Sequence, residues 1–333
     1  MNKKLHYQIY QNGHIGMCNV LMSIENGLIL GKLLNREVIF YHGAKLFNSE
    51  KNLRIDDLFD FKNCSFVVGN PPEGIPALNN DFHGTVITWK DDLPTPEFNN
   101  NRCKAIVLDD FLEYEEIRTK DSNTLAFYSY LFNIKGKKDL SWYLKDCIKP
   151  KEKYHEEIDR LINKYSPFYS VNVRRGDYLY IPNMKNVEMT QEKYLSKVKH
   201  LWDLQILIHT DEKNPEHFDQ ISKVLIQNEI SDDFDSAEKG LISMFIALAS
   251  EDFIGTHYST FSAMIQRWRL REGKNEEFKY LYSQEEGVKL DEKGRMIDNG
   301  YAPNGVLAPT WARVNQIQAT AFWTREYPEA IED

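Results

Sequence analysis

The spacing of apolar and polar positions predicts a first series of strands and helices near the start of the chain. Apolar residues at every second position predict a short strand at 5–10, and apolar residues three and four apart predict a helix over 17–34. A glycine-containing loop at 12–16 joins the two, and a further strand is predicted at 37–41. A strand, a glycine loop, a helix and a second strand form the opening of a Rossmann-like domain.

The remainder of the first half carries a weaker pattern. Apolar clusters bounded by Asn, Pro or Asp predict strands or strand edges at 65–68, 86–89 and 105–108. Helical spacing follows at 124–149 and 151–165. The region of Pro150, or the helix after it, is the candidate domain boundary.

The second half alternates strands with helices more clearly. Strands are predicted at 168–173, 204–209 and 252–255. Helices are predicted at 191–199, 216–227, 237–250 and 262–271. Such alternation is typical of a mostly parallel sheet. The predicted fold class is therefore α/β and GT-B-like, with two Rossmann-like domains facing a cleft.

Three parts of the chain are expected on this basis. They are an N-terminal Rossmann-like domain at 1–160, a C-terminal Rossmann-like domain at 161–283, and a tail at 284–333 that packs across the domains. Trp311, Phe322, Trp323 and Tyr327 stand among polar residues in the tail. The alternative for this tail is a lid over the cleft.

Composition narrows the class of protein. The net charge of −9 argues against nucleic acid as a partner, so an anion site must be a local basic pocket. The four cysteines are scattered, which is typical of reduced thiols, and no Cys/His set with metal-ligand spacing occurs. The N-terminus lacks the apolar run of a signal peptide, and no stretch is long enough to span a membrane. We expect a cytoplasmic protein.

The segment FYSVNVRRGDY at 168–178 is the first candidate site. The predicted strand runs directly into Arg174 and Arg175, followed by Gly176 and Asp177. Ligands of open α/β sheets bind beyond the carboxyl ends of strands, and guanidinium groups match phosphate oxygens in a bidentate way. The segment thus indicates a diphosphate site. The alternative is a surface arginine pair neutralised by Asp177.

The segment FIGTHYSTFSAMIQRWR at 253–269 is the second. A short strand is followed by a loop of small residues and a helix. Ser259, Thr260, Phe261 and Ser262 place hydroxyl and backbone N–H groups where that helix begins. Such a helix N-terminus is suited to an anion. The alternative is a helix cap with no ligand.

Together the two segments resemble the fucosyltransferase superfamily with the HxRRxD motif, which includes protein O-fucosyltransferases and α1,6- and α1,2-fucosyltransferases. VNVRRGDY is similar to the family's VHVRRGDY, and the later segment is similar to its GxxSTFSxxIxxxR pattern. GHIGMCNVLMSIENGLILGKLLNREVIF resembles the family's first loop, helix and strand. The resemblance spans roughly residues 5 to 272, and 42–160 carry no motif. It implies that 1–160 is the acceptor-side domain and that 161–283 is the GDP-sugar-binding domain. If the tail is a lid over the acceptor, its aromatic rings would be sugar platforms.

The resemblance implies an inverting, metal-independent transfer of L-fucose from GDP-β-L-fucose, with no cofactor and with a glycan or protein hydroxyl as acceptor. Arg174 would neutralise the departing β-phosphate, and Arg175 would support the diphosphate or orient Asp177, so that Arg174 and Asp177 are the candidate catalytic residues. Candidate donor-binding residues are His14, Gly16, Asn172, Arg175, Asp211, Ser259, Thr260, Phe261 and Ser262. Asp211 would contact ribose or guanine, although it could equally cap the next helix, and His14 could be a surface residue.

One departure from the family bears on catalysis. Asn172 stands where the family commonly has His, and an amide cannot titrate near neutral pH. The general base is not placed by the sequence; His14, His257 and Asp177 are the candidates. Two alternatives to a fucosyltransferase stay open: a transferase of the same fold that uses another nucleotide sugar, and a non-catalytic sugar-nucleotide or glycan-binding module.

Overall fold

The computed structural model forms two compact units, and the chain passes from the first to the second between Lys151 and Glu152. The structure describes residues 4–9, 16–42, 45–46, 49–69, 77–78, 86–88, 105–107, 126–129, 144, 146–174, 205–212, 216, 218, 224–256, 259–274, 289–290 and 296–298.

The first unit is built on a parallel sheet. Its strands are β1 (Lys4–Ile9), β2 (Glu37–His42), β4 (Cys64–Val68), β5 (Ala77–Leu78) and β8 (Ala126–Ser129). They lie in the order β4-β2-β1-β8-β5, and every pairing is parallel. Strands β6 (Val86–Thr88) and β7 (Ala105–Val107) form a parallel pair, and β3 (Phe59–Phe61) pairs antiparallel with β9 (Ile148–Pro150).

Helix α1 (Met17–Leu33) packs closely on β1 and β2, because two glycines face the sheet. A Cβ on Gly27 would come within 2.4 Å of Phe40 Cε1, and one on Gly31 within 2.2 Å of Val38 Cγ2. The predicted strand–loop–helix–strand opening is confirmed in its strands and helix. Helix α2 (Ile55–Leu58) follows later in the same unit.

The second unit also carries a parallel sheet. Strands β10 (Tyr169–Val173), β11 (Ile206–Thr210), β12 (Val224–Leu225) and β13 (Phe253–Ile254) lie in the order β12-β11-β10-β13. Its helices are α3 (His155–Tyr165), α4 (Ile226–Glu229), α5 (Ser236–Ala249) and α6 (Thr260–Arg271). Helices α3 and α6 both pack on α5. Strands β14 (Lys289–Leu290) and β15 (Met296–Asp298) form a separate antiparallel pair.

Helix α5 begins where the sequence requires it. Asp235 caps the helix: its carboxylate accepts from the Glu238 N–H at 2.9 Å, and Glu238 Oε2 accepts from the Asp235 N–H at 3.1 Å. Glu238 also accepts hydrogen bonds from Tyr154 Oη and Lys153 Nζ, each at 3.0 Å. The chain just before α3 is thereby fixed to α5. This contact explains why α3, which lies across the predicted boundary at 160/161, belongs to the second unit.

Two predicted helices are wrong in part. Residues Ala126–Ser129 form β8 inside the helix predicted at 124–149, and Val224–Leu225 form β12 inside the helix predicted at 216–227. Pairing of β8 with β1, and of β12 with β11, supplies backbone partners that override the local helical spacing. The helix predicted at 191–199 and most of the tail at 284–333 lie outside the described residues.

Candidate functional site

The candidate site lies at the carboxyl ends of three neighbouring strands in the second unit. Strand β10 ends at Val173 and is followed by Arg174; β11 ends at Thr210 and is followed by Asp211. Strand β13 ends at Ile254, and a short connection leads from it to α6. Because β10 pairs with both other strands in parallel, the residues after all three emerge at one edge of the sheet.

Arg174 and Asp211 face each other at this edge. Arg174 Nε lies 3.8 Å from Asp211 Oδ2, and the two side chains are 30% and 42% exposed. The pair is therefore open to solvent, and an anion can compete with Asp211 for the guanidinium. Both residues follow strand ends, and their roles in donor binding stay predictions.

Asn172 lies one layer beneath Arg174 and is buried. Its Nδ2 donates to the backbone carbonyl of His209 at 3.1 Å, and its Oδ1 accepts from Ser262 Oγ at 2.8 Å. The amide thus joins β10 to β11 and to α6. A neutral imidazole could also donate from one nitrogen and accept at the other. The replacement of the family's His by Asn therefore keeps a donor and an acceptor at this position.

Replacing Asn172 by Asp tests this arrangement. In this variant a carboxylate oxygen would replace the Nδ2 donor. Two acceptors, that carboxylate oxygen and the His209 carbonyl oxygen, would then face each other in a buried position. We expect Asn172→Asp to lower the free energy of unfolding at pH 7 by about 2 kcal/mol. Urea unfolding measures the change, with Asn228→Asp, at an exposed position of α4, as the matched amide-to-carboxylate control. Equal stability of the two variants would contradict a bridging role.

His209, a buried residue of β11, connects the same sheet to helix α5. His209 Nδ1 lies 2.6 Å from Ser243 Oγ, and Nε2 lies 3.0 Å from Ser170 Oγ. Burial lowers the pKa of His209 to about 3, so the ring is neutral at pH 7. It links α5 to β10 and β11 as a structural residue. This role of His209 could not be predicted, because a polar residue inside a strand gives no sign of its partners in the sequence.

Hydrogen bonds to other residues of the protein fix the first turn of α6. Ser259, which precedes the helix, accepts from the Ser262 N–H at 3.3 Å, as an N-cap residue does. Ser262 Oγ accepts from the Thr256 N–H at 2.9 Å while it donates to Asn172. The two serine hydroxyls therefore serve the fold in this structure.

Helix α6 begins at Thr260, two residues before the predicted start, so Thr260 and Phe261 belong to its first turn. N–H groups in the first turn of a helix have no partner within that helix. The backbone N–H groups of Thr260 and Phe261, both half-buried residues, are accordingly the donors of this segment that are suited to an anion.

Of the remaining predicted site residues, the structure describes only Gly16. Gly16 lies at the start of α1, where its carbonyl accepts from the N–H groups of Asn19 and Val20. The others lie outside the described residues: His14, Arg175, Asp177 and His257.

The described part of the chain holds no group of three or more His, Cys, Asp or Glu side chains that could bind a metal ion. Within that same part, every helix is too short or too polar to cross a membrane.

Arg269 ends the second motif and is fully buried. Its Nη1 donates to the carbonyls of Ser250 at 2.6 Å and of Ala247 and Leu248 at 3.3 Å, and its Nη2 donates to Glu251 O at 3.0 Å. These carbonyls lie at the C-terminus of α5, where backbone acceptors lack helical partners. Burial lowers the pKa of Arg269, with nearby acidic groups opposing the change, and an arginine stays charged in proteins. Arg269 is therefore an anchor between α6 and α5.

Comparison with known proteins rests on structure alone. No protein-family model matches the chain, and no curated protein matches its sequence. The chain is similar to POFUT1 in complex with GDP-fucose, with a TM-score of 0.53 and 13% identity over 84% of this chain and 97% of that chain. It is similar to POFUT1 in complex with GDP, with a TM-score of 0.52 and 14% identity over the same shares.

A further similar structure is NodZ α-1,6-fucosyltransferase soaked with GDP-fucose, with a TM-score of 0.47 and 12% identity over 80% of this chain and 93% of that chain. The two POFUT1 structures show the fold of this chain. The predicted α/β class is confirmed, and the resemblance to the fucosyltransferase superfamily is confirmed at the level of the fold.

Proposed function

We propose that this protein is a glycosyltransferase that transfers L-fucose from GDP-β-L-fucose, with inversion, to a hydroxyl of a glycan or a protein. One observation carries the proposal. Arg174 and the first turn of α6 come together at the strand ends of the second unit, in a fold similar to that of POFUT1 in complex with GDP-fucose.

The chemistry expected of a diphosphate leaving group fits these residues. As the bond from the sugar C1 to the β-phosphate oxygen breaks, the electron pair leaves with the phosphate, and its negative charge grows. A guanidinium and helix N–H groups, fixed before the reaction, stabilise such charge without reorganising. Asp211 Oδ2 lies 3.8 Å from Arg174 Nε, and we propose that the diphosphate replaces Asp211 as the partner of the guanidinium.

The acceptor hydroxyl attacks C1 on the face opposite the leaving phosphate, and its proton passes to a base. The candidates for that base remain His14, His257 and Asp177. Asn172 is excluded on chemical grounds, since its amide does not titrate and both of its ends are engaged within the protein. Its place in the proposed mechanism is to hold the strand end from which Arg174 projects.

The proposal is tested by the release of the nucleoside diphosphate, GDP or UDP, from a panel of sugar nucleotides. GDP-fucose, GDP-mannose and UDP-glucose are compared, each alone and with a range of glycan and peptide acceptors. We expect GDP release from GDP-fucose that depends on an acceptor. If only another donor is turned over, the result would favour a transferase for the sugar of that donor. Binding of GDP-fucose without turnover across the panel would favour a binding module.

Metal independence is a separate prediction. Arg174 and the α6 N-terminus supply the positive electrostatics that a divalent cation supplies in other transferases. We expect the rate of GDP release to change by less than about twofold in excess EDTA. Loss of activity with EDTA that is restored by Mn²⁺ or Mg²⁺ would contradict this prediction.

A further inference from the structure

Thr256 occupies the junction between β13 and α6, and its side chain is buried, with 1% exposure. Its hydroxyl makes two hydrogen bonds to the end of β10. Thr256 Oγ1 donates to the backbone carbonyl of Asn172 at 2.6 Å and accepts from the backbone N–H of Arg174 at 3.0 Å. Both bonds reach the chain segment from which the Arg174 side chain projects.

The backbone of Thr256 is bound to the first turn of α6. Its N–H donates to Ser262 Oγ at 2.9 Å, and its carbonyl accepts from the Ser259 N–H at 3.3 Å. The preceding residue, Gly255, lies so close to the helix that a Cβ there would come within 2.7 Å of Ser262 Cβ. Thr256 therefore contacts both proposed anion-binding elements at once, Arg174 through its side chain and α6 through its backbone.

We propose that Thr256 is a positioning residue for the proposed donor site. It holds the Arg174 backbone and the N-terminus of α6 in one fixed arrangement, so that the guanidinium and the helix N–H groups can reach one diphosphate. The proposal rests on the proposed function and adds a residue that neither motif assigned. It acts through Arg174 and contacts no substrate atom itself.

The hydroxyl chemistry sets the choice of variants. A hydroxyl is both donor and acceptor, and Thr256 uses both capacities. Thr256→Val keeps the shape of the side chain and removes both bonds, whereas Thr256→Ser keeps them. A displacement of about 1 Å at a catalytic group can cost on the order of 100-fold in rate. We expect Thr256→Val to lower kcat/KM about 10- to 100-fold, mainly through kcat, and Thr256→Ser to stay within about threefold.

Ser243→Ala is the matched control for loss of a buried hydroxyl. Ser243 is hydrogen-bonded to His209 of β11 and not to the end of β10. All rates are measured at a temperature at which each variant is fully folded, as verified by thermal unfolding. A similar loss of kcat/KM in Ser243→Ala and Thr256→Val would show a general effect of destabilisation and overturn the proposal.

Two further readouts separate positioning from stability. Hydrogen exchange of the Arg174 amide should be at least about tenfold faster in Thr256→Val than in wild type or Thr256→Ser, with Val171 and Val173 of β10 unchanged. In the Arg174→Lys background, Thr256→Val should cause little further loss of kcat/KM, because it acts through the arginine. Unchanged exchange at Arg174, or fully additive losses, would overturn the proposal.

The same experiments distinguish the two levels of inference. If wild type neither binds GDP nor releases it from any GDP-sugar, the proposed function is contradicted, together with any role of Thr256 in it. If wild type is active while Thr256→Val keeps the wild-type exchange and kcat, only the positioning role is contradicted.

Discussion

Arg174→Lys is expected to lower kcat/KM for GDP-fucose by about 30- to 1000-fold, or about 2–4 kcal/mol of transition-state stabilisation. The side chain is half-exposed at the end of β10, and its backbone is fixed by Thr256. An ammonium keeps the positive charge, but it lacks the planar fork that can hold two phosphate oxygens at once. The loss should therefore persist although the net charge of the protein is unchanged.

Steady-state kinetics of GDP release measure this effect. The control is Lys239→Met on α5, which removes a positive charge that is paired with the exposed Asp232. We expect the control to keep wild-type kcat/KM. An Arg174→Lys variant with nearly wild-type kcat/KM would show that Arg174 does not stabilise the leaving phosphate.

Arg269→Met is expected to destabilise the protein by about 3–5 kcal/mol. The substitution leaves the side-chain volume similar, but it withdraws donors from the carbonyls of Ala247, Leu248, Ser250 and Glu251. Lys274 Nζ still donates to Leu248 O at 2.8 Å, and Ser250 Oγ still donates to Ala247 O at 2.7 Å. The loss of the Arg269 donors therefore falls mainly on the carbonyls of Ser250 and Glu251. Buried backbone acceptors that lose their partners carry a large desolvation cost.

Urea unfolding compares Arg269→Met with Lys239→Met, in which the lost ion pair with Asp232 is exposed and should contribute about 0–1 kcal/mol. Because Arg269 lies on α6, we also expect weaker GDP binding in the Met variant as its folded fraction falls. A loss of stability in Arg269→Met no greater than that in the control would contradict the role of Arg269 as an anchor between α6 and α5.

Strands and helices with strong local patterns could be predicted from the sequence. β1, α1, β2, β10, β11 and α5 begin and end within a few residues of the expected positions, because burial of one face imposes a regular spacing on each. β8 and β12 could not be predicted, since their strand conformation depends on neighbours far away in the chain. The contact of Tyr154 with Glu238, which joins the chain before α3 to α5, is indicated by no local pattern.

The placement of the candidate residues at one sheet edge was predictable, and the hydrogen bonds that connect them were not. A strand followed by Arg174 and a helix preceded by Ser259 indicate an anion site at one sheet edge, and the structure brings both to that edge. The sequence did not indicate that Asn172, Thr256 and Ser262 form one hydrogen-bonded group, because these contacts join residues far apart in the chain. It also gave no sign that Arg269 is a buried anchor.

Calorimetric titration of the wild-type protein with GDP, alongside Arg174→Ala, tests the central claim most directly. The claim is that a guanosine diphosphate binds where Arg174 meets the N-terminus of α6. We predict one binding site per chain in wild type and an affinity at least about 10-fold weaker in Arg174→Ala, as expected for loss of a charge-assisted hydrogen bond. The absence of GDP binding in wild type, or equal affinity in the two proteins, would contradict the claim.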